Sequence, residues 1–354
     1  MNKKRTLVTG IVLAVLCLLV YLQVHAWKKF EWKKFWDNTS DVHWPYIVMA
    51  VLLTYLAYVL RAVRWRIFLE PLCKTTTARM LAPQFIGFTG LALLGRPGEM
   101  IRPYLIARKE NLTFSSQVGV WLVERIFDMG SVAVMFVVFC FWGDPLWNTL
   151  PNHRLQYEVR VSAGVFLCAI LGLATVAVVL RRSGYAIADR VEKRFEGSSA
   201  KFAHGLHAKI VSFTDGLQIV DGAWSLAQLL LLSVAMWGVI AWAYWLIAHA
   251  YRDEAAYPLS HLGVASIMVL LVAAMFGSLL QLPGVGGGSQ LATINVLSGV
   301  FGVQSEIAVS CGMLIWVCTF MSVIPMGLLL AHRERLSLRA VAAAEEKEEA
   351  ALTE

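Results

Sequence analysis

The sequence has few charged residues for its length. Asp, Glu, Lys and Arg make up 16% of the 354 positions, whereas apolar residues make up 58%, and mean hydropathy is +0.62. Soluble globular domains carry about 25% charged and 45–50% apolar residues. The shortage of charge therefore excludes an ordinary soluble domain and indicates a membrane protein.

The sequence also lacks the short motifs of common enzyme classes. It contains no Gly-x-x-x-x-Gly-Lys-Ser/Thr phosphate loop, no Gly-x-Ser-x-Gly elbow, no His-Glu-x-x-His pair and no Asp-x-Asp metal motif. The six cysteines include no Cys-x-x-Cys pair, and most lie in apolar blocks, where thiols pack as small apolar groups. No catalytic residue, metal site or cofactor is predicted. A membrane enzyme of lipid-linked sugar transfer that uses Glu99, Glu124 or Asp128 as a base stays open as an alternative.

The apolar residues are clustered in blocks long enough to cross a bilayer as helices, which requires about 20 residues each. Two further apolar stretches, at about Met80–Ile106 and Ser260–Val303, are broken in the middle by Gly and Pro. The sequence therefore predicts an all-α, polytopic bundle with six spanning helices and two broken or re-entrant hairpins. The predicted spans are Thr6–Val24, Trp44–Leu60, Ser116–Phe141, Val159–Leu180, Trp224–His249 and Glu306–Ala331.

The positive residues predict the orientation of the chain. With a cytoplasmic N-terminus and both hairpins returning to the side they entered from, 22 Lys and Arg residues fall inside and 7 outside. This asymmetry predicts a bacterial inner-membrane protein with both termini in the cytoplasm. The net charge of +7 is then explained by topology, and no nucleic-acid partner is predicted.

The two halves of the chain repeat the same order of elements: span, span, broken stretch, span. Three spans per half is an odd number, so the second half is predicted to be inverted relative to the first, as in many secondary transporters. One membrane domain is predicted over 1–335, with repeats at 1–142 and 155–335 and a cytoplasmic segment at 181–223. Residues 336–354 are predicted to form a charged, disordered cytoplasmic tail.

The broken stretches contain helix-breaking residues at predicted membrane depth. Pro97 and Pro283 each remove a backbone donor, and backbone freed inside a bilayer must be buried in protein or line a wet cavity. The second break also exposes amide groups where a half-helix begins near Gln290, an arrangement that binds anions such as a lipid phosphate. Close helix packing at the glycines is the alternative. The glycines concerned are Gly284, Gly286, Gly287 and Gly288.

Ionisable residues cluster in the first hairpin and in the span that follows it. Charges inside a bilayer are costly, so they pair with one another or line a pathway. They therefore predict either a lipid-headgroup site or a closed structural network in which three Arg neutralise three acids. The residues are Arg96, Glu99, Arg102, Glu124, Arg125 and Asp128.

These motifs resemble the lysylphosphatidylglycerol synthase transmembrane-region family, also called the flippase-like family. The resemblance covers about residues 5–335, and it implies a membrane protein that moves or presents an anionic lipid, with lipids as its partners. The motifs are Arg61-Ala-Val-Arg64-Trp65-Arg66, Gly95-Arg96-Pro97-Gly98-Glu99-Met-Ile-Arg102, Glu124-Arg125-Ile-Phe-Asp128 and Pro283-Gly284-Val-Gly286.

The resemblance also frames the possible substrates and partner proteins. It implies a phospholipid or polyprenyl-phosphate substrate and partner proteins from lipid or glycan biosynthesis. Two alternatives stay open: a subunit or enzyme of lipid-linked glycan or hopanoid synthesis, and a non-catalytic regulatory protein. Gln290 stands where the family commonly has Glu, which argues against a carboxylate function there. Since the chain ends at Glu354, no aminoacyl-transferase domain, and hence no lysyl transfer, is expected.

Overall fold

The structure, a computed structural model, describes residues 32–142, 153–195, 200–217, 222–252, 256–282 and 286–334. The predicted first span, Thr6–Val24, and the predicted tail, 336–354, lie outside the described residues. The described part is almost entirely helical, which confirms the all-α class. Its one ladder is a two-residue antiparallel pair, β1 at Gln281–Leu282 and β2 at Gly286–Gly287.

In the first half of the chain, the third and fourth helices of the described residues form the first broken stretch. A short 3-10 turn, Arg96–Met100, separates α3 from α4. The helices are α1 at Trp32–Ser40, α2 at Trp44–Leu69, α3 at Thr77–Leu94, α4 at Ile101–Glu110 and α5 at Phe114–Trp142.

The second half of the chain has eight helices in the described residues, and two of them flank the second break. A π-helical turn, Val317–Met321, joins the last two helices. The helices are α6 at His153–Phe195, α7 at Ala200–Leu217, α8 at Gly222–Ala248, α9 at Tyr257–Ser260, α10 at Val264–Gly277, α11 at Gly288–Gly299, α12 at Ser305–Trp316 and α13 at Val323–Arg333.

Four helical stretches in the described residues are long and apolar enough to cross a membrane: Trp44–Leu69, Arg154–Arg194, Gly222–Ala248 and Ser305–Arg333. They support a multi-pass membrane protein. Helix α5 has 29 residues, which also exceeds the span of a bilayer, but it carries Glu124, Arg125 and Asp128 near its middle. Helix α5 is therefore long enough to cross a membrane, but it is not one of the four apolar candidates.

The first broken stretch folds back on itself. Glycines permit the close approach, because a Cβ at Gly98 would collide with the Gly90 carbonyl oxygen. At the open end, Arg79 Nε donates to Glu110 Oε1 at 2.8 Å, so the start of α3 lies beside the end of α4. The stretch thus returns to the level at which it began, as a hairpin would.

The second broken stretch is also a hairpin. Helices α10 and α11 pack against each other, and a Cβ at Gly277 would collide with the Gly288 carbonyl oxygen. The antiparallel β1–β2 ladder lies between these two helices, and Pro283 and Gly284 lie outside the described residues. The first break coincides with the Pro-Gly position that the sequence singles out, Pro97-Gly98.

Four apolar clusters form the core of the described residues, and charged residues lie between the two larger ones. In α2, Ile47, Ala50 and Leu53 belong to one cluster, whereas Trp65 and Phe68 belong to the other. In α5, residues before position 124 pack in the cluster of Trp65 and Phe68, and residues after position 128 pack in the cluster of Ile47, Ala50 and Leu53. The charges of both helices are therefore enclosed by apolar packing on both sides along the helix axes.

A chain of hydroxyl groups attaches α1 to the bundle. Ser310 Oγ lies 2.7 Å from both Thr39 Oγ1 and the Tyr251 hydroxyl oxygen. Burial raises the pKa of Tyr251 well above its ordinary value, so this phenol stays protonated. The short helix is thereby held on α12 at the end of the bundle where α8 ends.

Candidate functional site

Arginine and carboxylate side chains from three helices form a buried charged cluster. Arg64, on α2, contacts Glu124 at 2.9 Å and Asp128 at 2.7 Å, both on α5. Glu124 and Asp128 face α2 together because residues four apart share one face of a helix. Arg64 Nη1 also donates to Ser233 Oγ at 2.8 Å, so α8 takes part as well. The cluster ties α2, α5 and α8 together.

Arg102 adds the first hairpin to this cluster. Its guanidinium pairs with both oxygens of Glu124 and donates to Gln84 Oε1 at 3.0 Å. The guanidinium carbon lies 5.1 Å from the ring centroids of both Trp65 and Phe88, a cation–π arrangement. Because its carboxylate partner and its aromatic neighbours surround it, Arg102 acts as a structural connection between the hairpin and α5.

The predicted pairing of the charges is wrong in part. Arg102 does pair with Glu124, but Asp128 pairs with Arg61 and Arg64. The predicted span ends at Leu60, which would leave both arginines in a cytoplasmic segment. The structure continues α2 to Leu69, so both side chains lie one turn apart on the helix face that meets α5.

The cluster carries more positive than negative charge. Arg61, Arg64, Arg102 and Arg125 face two carboxylates, those of Glu124 and Asp128. Arg96 and Glu99 form a separate pair at 2.8 Å and neutralise each other. Among the described residues, the four arginines therefore exceed the acids that contact them by two charges.

Arg61 is the buried cation with the weakest compensation. Its side chain is 8% exposed and lies 3.5 Å from Asp128 Oδ2, and Nη1 has no hydrogen-bond partner in the described part of the chain. Arg64 and Trp237 Nε1, which donates at 3.1 Å, both contact Asp128 Oδ1, whereas Oδ2 has no hydrogen-bond partner among the described residues and faces Arg61. Phe88 and Trp237 flank the Arg61 guanidinium at 4.9 and 5.6 Å. Arg61 thus retains donor capacity beside a cavity.

A cavity of about 240 Å³ lies against Arg61 and is bordered by both hairpins. Its charged and polar wall contains Arg61, Arg96, Glu99, Arg125, Asp128, Ser278, Ser289, Gln290 and Thr293. The rest of the wall is mostly apolar and includes Leu91, Leu271, Met275, Leu279, Trp316 and Phe320. The cavity therefore has an amphipathic lining with a concentration of arginine.

Arg96 connects the two hairpins across this cavity. Its Nη2 donates to the Ser278 carbonyl oxygen at 2.7 Å, and Nη1 pairs with Glu99. Arg96 and Ser278 are 182 positions apart in the sequence. The contact places the turn of the first hairpin beside the end of α10, so the two breaks meet.

The predicted site residues divide into three groups. Those that border the cavity are Arg96, Glu99, Arg125, Asp128 and Gln290. Arg102 and Glu124 lie behind the wall in the buried cluster. Gly286 and Gly287 form the ladder strand, Gly288 packs against Gly277, and Pro283 and Gly284 lie outside the described residues.

Several residues of the site were not among the predicted site residues. Arg61, Ser278 and Trp237 border the cavity, and Arg64 holds both acids. The spacing of Arg61 and Arg64, one helical turn apart at the end of an apolar block, is a signal that could have indicated a paired face. Nothing in the sequence marks Ser278 or Trp237.

Comparison with known proteins identifies the family of this chain. Residues 7–327 match the family described as lysylphosphatidylglycerol synthase TM region. The glycosyltransferase AglD of Haloferax volcanii is 28% identical over 262 residues, which cover 67% of this chain and 40% of that protein. The chain thus matches less than half the length of this relative, and no solved structure matches. Since the family match extends over most of the sequence, the chain belongs to the lysylphosphatidylglycerol synthase TM region family.

Proposed function

We propose that this protein binds the phosphate of an anionic membrane lipid in the cavity between the two hairpins and moves that headgroup between the leaflets. The observation that carries the proposal is the excess of arginine at this cavity, where Arg61 Nη1 has no hydrogen-bond partner among the described residues. An anion would supply the missing negative charge and accept the unused hydrogen bonds.

The lining of the cavity favours a lipid over a small soluble anion. Leu91, Leu279 and Phe320 border the same space as Arg61 and Arg125. A phospholipid or polyprenyl phosphate has both components, a charged headgroup and apolar chains. The headgroup would lie at the arginine wall, and the chains would extend along the apolar wall towards the bilayer.

A transport function further requires access to the cavity from both sides of the membrane. We propose six spans and two re-entrant hairpins arranged as an inverted repeat, with both termini in the cytoplasm of an inner-membrane protein. If the two hairpins enter from opposite sides of the membrane, a different hairpin borders the cavity towards each side, and movement of that hairpin would open the cavity there. The similar build of the two hairpins supports this arrangement.

An enzyme of lipid-linked glycan synthesis is the second candidate. The name of the relative from Haloferax volcanii, a glycosyltransferase, favours it. Glu99 and Asp128 border the cavity, but Glu99 is paired with Arg96, and Asp128 is paired with Arg61 and Arg64. Both carboxylates are thus engaged by arginines and are not free to take up a substrate proton, which favours binding over catalysis.

Reconstitution into sealed vesicles tests the proposal. The purified protein is inserted into phosphatidylcholine vesicles that contain fluorescent phosphatidic acid or phosphatidylglycerol, and dithionite then bleaches the outer leaflet. We expect bleaching beyond the outer-leaflet fraction, with or without an imposed pH gradient or membrane potential.

The controls separate the two candidates. Protein-free vesicles should lose only the outer-leaflet signal. An unchanged outer-leaflet fraction with both probes, under all imposed gradients, would contradict transport. Formation of a glycosylated lipid by the protein in detergent, where no leaflets exist, would instead support the enzymatic alternative.

A further inference from the structure

The number of arginine charges at the cavity indicates the charge of the ligand. Both carboxylates of the cluster already have partners: Glu124 contacts Arg64 and Arg102, and Asp128 contacts Arg64 and accepts from Trp237. Asp128 also contacts Arg61 at 3.5 Å, so four arginines share two carboxylates, and the two excess charges are assigned to the arginines with the longest contacts, Arg61 and Arg125, the latter 3.9 Å from Glu124. Both of these residues border the cavity.

The two excess arginines have unused hydrogen-bond donors. Arg61 Nη1 and Arg125 Nε have no hydrogen-bond partner among the described residues, and both atoms are buried. Arg125 reaches Glu124 only at 3.9 Å, and its guanidinium carbon lies 5.8 Å from the centroid of the Trp121 ring. Two guanidinium groups with free donors therefore border one space, each without a full counter-charge.

We infer that the headgroup bound here is doubly charged, a lipid phosphomonoester or diphosphate, in preference to a singly charged phosphodiester. This inference rests on the proposed function. A terminal phosphate has three free oxygens and a second ionisation near pKa 6, so it carries about two charges at neutral pH. A phosphodiester has two free oxygens and one charge. Only the terminal phosphate matches both arginines in charge and, with three free oxygens, can contact each of them through two oxygens, one of which is shared.

The same charge balance disfavours cationic headgroups. A lysyl ester on a phosphodiester would bring an ammonium group to a cavity that already has an excess of arginine. The one wall carboxylate outside the cluster, that of Glu99, is paired with Arg96. We therefore expect an aminoacylated phosphodiester to bind more weakly than the plain phosphodiester, because like charges repel strongly in a poorly solvated site.

Equilibrium binding to the purified full chain in detergent, at pH 7.5 and fixed salt, tests the inference. The probes are fluorescent phosphatidic acid, phosphatidylglycerol and lysylphosphatidylglycerol with identical acyl chains. We expect phosphatidic acid to bind at least about tenfold more tightly than phosphatidylglycerol, because the second charge and third oxygen add charge-assisted contacts. Lysylphosphatidylglycerol should bind most weakly.

Variants of Arg125 assign the preference to this site. Arg125→Gln removes one excess charge and should bring the phosphatidic acid to phosphatidylglycerol ratio close to one. Arg125→Lys keeps the charge and should keep most of the ratio. Arg66→Gln, an exposed position on α2 outside the cavity, should leave it unchanged. A melting curve of each variant verifies that it is folded.

The outcomes separate this inference from the proposed function. Equal binding of phosphatidic acid and phosphatidylglycerol, both transported in vesicles, would overturn the inference and leave the proposed function intact. Binding of neither lipid would overturn both. Displacement of phosphatidic acid by inorganic phosphate at equal concentration would show a free-phosphate site and overturn the lipid assignment. An unchanged ratio in Arg125→Gln would remove Arg125 from the site.

Discussion

Replacement of Glu124 by glutamine is expected to lower the melting temperature of the purified protein by on the order of 10 °C. The Glu124 side chain is fully buried and pairs with Arg64 and Arg102. Glutamine keeps the shape but removes the charge, so two buried guanidinium groups lose their common partner. Loss of one member of a buried ion pair costs about 3–5 kcal/mol. Thermal unfolding in detergent, followed by tryptophan fluorescence, measures the change.

An exposed acid provides the matched control. Glu158 pairs with Arg154 at 2.8 Å, but both side chains are largely exposed, so Glu158→Gln should leave the melting temperature unchanged. The double variant Glu124→Gln with Arg102→Gln should recover part of the loss, because one uncompensated charge is removed. A melting temperature of Glu124→Gln within about 2 °C of the parent would contradict the structural role of the pair.

Replacement of Arg61 by glutamine should have the opposite profile: lost transport with retained stability. Asp128 keeps Arg64 and Trp237 as partners when Arg61 is removed, so no buried acid is left unpaired. The excess of buried positive charge falls at the same time. A lost charge-assisted hydrogen bond of about 1.5–3 kcal/mol lowers affinity about 10- to 100-fold. Lipid binding and vesicle transport should decrease to that extent, while the melting temperature stays the same or rises.

Arg66 is the control for this variant, since it lies on the same helix but is exposed and borders a different surface with Glu70 and Trp224. Arg66→Gln should transport like the parent protein. If Arg61→Gln transported normally while folded, Arg61 would have no function in the site, and the excess arginine would be purely structural.

The class of the fold and the positions of its breaks could be predicted from the sequence. Long apolar blocks require helices in a bilayer, and the Pro-Gly pairs that begin at Pro97 and Pro283 predict a break at each position. The end of α2 could not be predicted in the same way. Arg61, Arg64 and Arg66 end the apolar block, yet the helix continues to Leu69, because the first two are buried against α5 and only Arg66 is exposed.

Part of the site depends on contacts between residues far apart in the chain. The contact of Arg96 with Ser278 joins two turns separated by 182 positions, and no local pattern indicates it. Glu124 and Asp128 could be predicted to share a face from their spacing, but their arginine partners could not. Charge alone allowed Arg96, Arg102 and Arg125 as partners, and only packing placed Arg64 between both acids.

The central claim is that the cavity between the two hairpins holds the phosphate of a lipid. Photo-crosslinking in nanodiscs tests it most directly, with a phosphatidic acid that carries a diazirine close to the headgroup. Mass spectrometry should find labelled peptides from both hairpins, near Leu91 and Leu279, and the label should decrease with unlabelled phosphatidic acid and in Arg61→Gln. Label confined to exposed positions on α6 such as Val165 and Val179, and unaffected by the competitor, would contradict the claim.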